Sequence, residues 1–141
     1  MSKKVMLSIR GRQAYHGQEP DVIELVTEGK MDFVDNGWNI SYEESNLTGL
    51  AGVRTTFRFE PEKVILTRTG NLHSQMIFEQ GVSYESLYQM EFGALMITVF
   101  ATRIDAKINK DGGCVDLTYQ IDVEHSAAGT VDYHLDIKAV N

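Results

Sequence analysis

Tyr42, Glu44, Thr55 and Arg68 are the residues whose types and phases allow them to act together. Tyr42 and Glu44 stand two apart and share a strand face with Trp38 and Ile40. Arg68 keeps phase with Val64 and Leu66, and Thr55 lies between Val53 and Phe57. The apolar neighbours turn all four toward an interior. A buried carboxylate and a buried guanidinium are tolerated only when paired and hydrogen-bonded. One reading therefore has Arg68 and Glu44 neutralise each other near one end of the fold, with Tyr42 and Thr55 completing the network. The other has the cluster orient the polar head of a ligand inside an apolar cavity. Tyr119 and Tyr133 stand on the inward phase of the last two strands and extend that candidate lining.

Other constellations carry less. Asp132, His134 and Asp136 share one face, beside an acidic face holding Asp116, Asp122 and Glu124. Residues two apart on a strand are separated by roughly 7 Å, wide for a shared metal ion. This is read as a solvated acidic surface, with no metal. Glu124, His125 and Ser126 sit at a hairpin tip, where neighbours point apart and form no relay. Cys114 follows Gly112-Gly113 in a turn and lacks a nearby basic group to lower its pKa. His16 and His73 are isolated, and no phosphate-binding glycine motif is present. No nucleophile–base pair emerges, so the expectation is a protein that is not an enzyme and needs no cofactor.

Composition sets the partners. The chain of 141 residues carries a net charge of −7, with 13 Lys and Arg scattered along its length. Nucleic acids and acidic membrane surfaces attract clustered cations, so neither is an expected partner. A single cysteine cannot form an internal disulfide, which fits the cytoplasm. The apolar stretch Val5-Met6-Leu7 is too short for a signal peptide. Length and a 43% hydrophobic content indicate one domain over residues 1–141.

The elements that hold these residues read as strands throughout. Val115, Leu117, Tyr119, Ile121 and Val123 alternate with polar residues, and after an Ala127-Ala128-Gly129 turn Val131, Tyr133, Leu135 and Ile137 do the same. Asn36-Gly37 signals a type I′ hairpin, Glu60-Pro61-Glu62 and Gly70-Asn71 further turns. Leu95, Ile97, Val99 and Ala101 hold one phase while Ile104 and Ile108 hold the other, which requires a β-bulge near Ala101–Arg103. A helical turn near Ser83–Ser86 competes with alternation there. No long segment shows a helical stripe. About eight to ten strands joined by short hairpins predict an all-β fold, a small antiparallel up-and-down barrel.

Ser41-Tyr42-Glu43-Glu44, Gly52-Val53-Arg54-Thr55-Thr56, Arg68-Thr69-Gly70, the run Met76–Gly81 and Phe92-Gly93 follow one another in an order that resembles the YwiB-like family of bacterial proteins. The resemblance spans essentially the whole chain and implies a calycin-type, lipocalin-like barrel without an established activity. The chain departs from it at Met90-Glu91-Phe92-Gly93, where relatives carry Thr-Pro-Tyr-Gly. Calycin barrels commonly hold small molecules, so the first functional expectation is a small apolar or amphipathic ligand in the interior. The fatty-acid-binding Arg-x-Tyr clamp and the lipocalin Gly-x-Trp signature are both missing. The second expectation is a filled barrel acting through its outer surface. Met96, Thr98 and Phe100, with Ala94, make the outward side of an otherwise inward-facing apolar strand. Apolar on both sides, this strand needs a cover, and a homodimer would supply it.

Overall fold

The computed structural model describes residues 2–15, 19–45, 51–90 and 93–140, the side chains of Tyr15, Met90, Ala127 and Ala128 apart. Ten strands follow in order: β1 (Lys3–Tyr15), β2 (Asp21–Val34), β3 (Gly37–Glu43), β4 (Val53–Phe59), β5 (Val64–Gly70), β6 (His73–Phe78), β7 (Ser83–Met90), β8 (Gly93–Asn109), β9 (Gly112–Val123) and β10 (Ser126–Ala139). Each is antiparallel to its chain neighbours, and β10 returns to β1 in the register Leu7↔Ile137 and Ile9↔Leu135, which closes the barrel. Ser83–Ser86 belongs to β7, so alternation prevails there over the helical turn.

The wall is uneven. β8, β9, β10, β1 and β2 run to 12–17 residues, whereas β3 to β7 have 6–8. Two consequences concern pairing. β6 and β7 meet through His73↔Gln89 and Ser74↔Tyr88, with a bridge between Glu79 and Val82 beyond them. β7 accompanies β8 only as far as Phe100; past it, Gly81 N–H donates to the Ala101 carbonyl and Gln80 bridges to Ala101 and Ile104.

The core follows from the alternation. Val5, Leu7, Met31, Ile40, Phe57, Phe78, Val99 and Leu135 are shut off from water, each large side chain stabilising the fold by about 1.5–3 kcal/mol. Phe57 stacks near Phe59, and Phe78 tilts against Tyr119 at 4.6 Å between ring centres. The register slips between Ala101 and Arg103, so Ile97, Val99 and Ala101 before the slip and Ile104 and Ile108 after it face the same interior.

Three turns differ from expectation. The first hairpin turns on Asp35 and Asn36, both at positive φ (52° and 62°), one residue before the expected Asn36-Gly37 pair. Gly37 already lies in β3, where a Cβ would come within 2.7 Å of the Arg58 guanidinium. That guanidinium donates to the carbonyls of Val34 and Asp35 and to Asn39, clamping the turn from outside. The β9–β10 turn is made by Glu124 and His125 at φ 52° and 66°, and Ala127–Gly129 is a register irregularity within β10. Cys114 stands exposed in β9 instead of in a turn, the chain reversing at Lys110 and Asp111.

Candidate functional site

Strand direction sorts the connections between two ends. At one, the mouth, β1 passes to β2, β3 to β4, β5 to β6, β7 to β8 and β9 to β10. Below the mouth lies a cavity of about 500 Å³ whose lining includes Tyr42, Glu44, Arg68, Tyr119 and Tyr133. Apolar side chains of Ile9, Leu66, Ile97, Leu117 and Val131 form most of its remaining wall. Five of the six interior residues expected from the sequence thus gather around one space. Thr55 stands behind it, fully buried, donating its hydroxyl to Glu44 Oε1 at 2.7 Å. The interior is not filled throughout: Phe57, Phe59, Phe78 and Tyr119 pack its lower part.

The polar groups are held unequally. Glu44 is 7% exposed and takes the Thr55 proton, and Tyr42 and Tyr133 face each other with hydroxyls 3.5 Å apart. Burial pushes the Tyr42 phenol up to about 12, the Tyr133 hydrogen bond pulling the other way and the Glu44 charge adding to the rise. Burial also lifts Tyr133 well above the ordinary 10.0, with Tyr42 beside it as the next cause, while Arg68 lowers both. Both phenols stay neutral and can each donate and accept. Arg68 closes the group, yet its buried Nε has no hydrogen-bond partner among the described residues. No ion pair within 4 Å joins Arg68 to Glu44, so the direct neutralisation expected from the sequence is not what fixes these charges.

Sequence reasoning passed over Gly11, Gln13 and Tyr88, which also line the cavity. Gly11 carries the signal that could have found it. It continues the inward phase of Val5, Leu7 and Ile9, and in the sheet it faces Tyr133, whose Cδ2 would lie 3.9 Å from an added Cβ. A glycine at an inward strand position makes room for a large ring opposite.

Outside the barrel, His134 is gripped by two carboxylates, Asp116 Oδ1 at 2.7 Å from Nδ1 and Asp136 Oδ2 at 3.0 Å from Nε2. The Asp116 hydrogen bond is the main reason its pKa rises above 6.5. Asp132 accepts from the Thr118 hydroxyl at 2.8 Å. Among the described residues, no three His, Cys, Asp or Glu side chains are grouped to hold a metal ion. Met96, Thr98 and Phe100 lie half-buried on the outer face of β8. Met96 adjoins the exposed Leu87, whereas Thr98 and Phe100 are flanked by Glu85, Ser83, Asp122 and Gln120. His16, Glu91 and Phe92 lie outside the described residues. No described helix is long and apolar enough to cross a membrane.

No curated protein matches the chain. Among solved structures, the ywiB protein from Bacillus subtilis superposes with a TM-score of 0.89 at 21% identity, over 99% of this chain and 94% of that one. It shares the barrel, in keeping with the resemblance read from the ordered motifs. Residues 7–137 match the model of a domain of unknown function, DUF1934. The match runs from the middle of β1 to the end of β10, and the chain belongs to that family.

Proposed function

We propose that the protein binds, without chemical conversion, one small amphipathic molecule below the mouth of the barrel. A single observation carries this reading: a cavity of about 500 Å³, apolar over most of its wall, is lined by an arginine whose buried Nε has no partner among the described residues. Leaving such a donor unsatisfied costs about 1–3 kcal/mol, more for a charged group. An anionic head drawn against the guanidinium offsets that cost on binding. Arg68 and the two neutral phenols offer donors to a carboxylate, sulfonate or carbonyl head, and the apolar wall takes the body. Glu44 already accepts from Thr55 and disfavours a second anion on its own side, which orients the head toward Arg68. The free, exposed Cys114 is compatible with a reducing cytoplasm.

Anilinonaphthalene sulfonate, an apolar ring system with one anionic head, is a suitable probe. Its fluorescence should rise on addition of the protein, and Arg68→Met should weaken that response by about tenfold or more, equivalent to the loss of one charged hydrogen bond. Because no ion pair among the described residues holds Arg68, the variant should melt within a few degrees of the parent. Unchanged probe affinity in a folded Arg68→Met protein would refute the reading.

A further inference from the structure

The lower half of β8, from Thr102 to Asn109, pairs with β9 on one side and, among the described residues, is an open edge on the other apart from Gln80. Ile104 N–H reaches Gln80 Oε1 at 3.1 Å across that edge, so the N–H and C=O groups of Ile104, Ala106 and Ile108 point outward from the sheet. The edge borders a groove of about 680 Å³ at the end opposite the mouth. Trp38 and Phe33, the latter 52% exposed, meet edge-on at 4.8 Å along its far side.

We propose that this edge pairs antiparallel with the same edge of a second copy, about a two-fold axis through Ala106. The register is set by charge together with the existing contacts of Gln80 and Gly81 to Ala101, which block a two-fold centred on Ile104. Opposing residues whose backbone groups face the edge must come from Ile104, Ala106 and Ile108 on both copies. Centring on Asp105 would set that carboxylate against itself, and centring on Lys107 would set two ammonium groups together. Centring on Ala106 sets Asp105 against the partner's Lys107, and Lys107 against the partner's Asp105, with Ile104 opposite Ile108 on the inner face. Each edge pair then exchanges two backbone hydrogen bonds, Ile104 releasing Gln80 to do so.

The present neighbours of Asp105 favour the same arrangement. Across the sheet it stands opposite Asp116, a like-charge pairing that costs stability, and its own-chain contact is Arg103 at 3.8 Å in solvent. A lysine arriving on its open side offsets that repulsion. The incoming segment, with Arg103, Asp105, Lys107 and Lys110, is net positive, and the groove it borders holds Glu60, Glu62 and Glu79 against Lys63. Its inner face, Ile104 and Ile108, meets the apolar side of Trp38 and Phe33. Pairing at this end leaves both mouths free.

Sedimentation equilibrium on the full chain tests the register directly. The parent should be dimeric at micromolar concentration. Asp105→Lys and Lys107→Asp should each weaken the dimer by about tenfold or more, and the double variant should return to within about threefold of the parent. Ala106→Pro, which removes an edge-facing N–H and leaves the β9 side intact, should be monomeric with an unchanged circular dichroism spectrum. Phe100→Glu, on the outer face above the edge, should remain dimeric. A parent monomeric up to millimolar concentration would overturn the proposal, even if it captured an extended peptide. So would a double variant no tighter than the singles, or a dimer that Phe100→Glu breaks and a folded Ala106→Pro does not.

Discussion

Thr55 and Glu44 show how a carboxylate is accommodated in an apolar wall. The hydroxyl donates at 2.7 Å, and each phenol nearby keeps its proton because burial disfavours the phenolate. Among the described residues Arg68 lacks a comparable partner for Nε, so the positive charge is the less satisfied member of the group. The tyrosines give the site a pH signature. A group whose folded pKa is raised contributes stability that is complete below its unfolded value and declines as pH climbs toward the folded value. For Tyr42 that window runs from 10.0 to about 12. The urea midpoint of the parent should therefore fall across this range, and Tyr42→Phe should flatten the fall. A variant with the parent's slope would mean that Tyr42 ionises without hindrance. The alternation of Tyr42, Glu44, Thr55 and Arg68 with apolar residues was enough to assemble these side chains. The lack of a close Glu44–Arg68 ion pair was not legible, because phase fixes a face but not a distance along a curved wall.

Among the elements, β8 records the reading of phase most clearly. An extra residue between Ala101 and Arg103 reverses which side chains face inward, and the sequence displays it as a switch from odd to even apolar positions. Inserting one alanine after Arg103 would shift the phase a second time and send Ile104 and Ile108 outward. The expected cost is about 3 kcal/mol or more, from two partly buried isoleucines, read by chemical denaturation. An insertion that leaves stability unchanged would show that the lower half of β8 contributes no core. Turns were less legible for a physical reason. Gly37 looks like the second residue of a turn, but it is small because Arg58 crosses over it, and Asp35 and Asn36 take the left-handed backbone. Likewise Gly129 drew attention to Ala127–Gly129, whereas Glu124 and His125 adopt positive φ without a glycine to mark them.

At the scale of the molecule, one barrel offers two unlike ends. The mouth leads to an apolar cavity with a few polar groups, and the opposite end presents a charged groove beside an unpaired strand edge. Closure itself was foreshadowed by the short hairpins, since a chain of ten neighbours with no crossovers needs only its first and last strands to meet. The edge was not foreshadowed: it arises from unequal strand lengths, and those depend on where each partner stops. The same inequality leaves β6 and β7 joined by two register pairs and the Glu79–Val82 bridge. A hoop fastened tightly everywhere but at one clasp opens at the clasp. Amides of β6 and β7 should exchange with deuterium well before those of β1, β9 and β10, and uniform rates around the circumference would contradict this. The protein would then breathe sideways through a slit in its wall, giving a bulky guest a second way in.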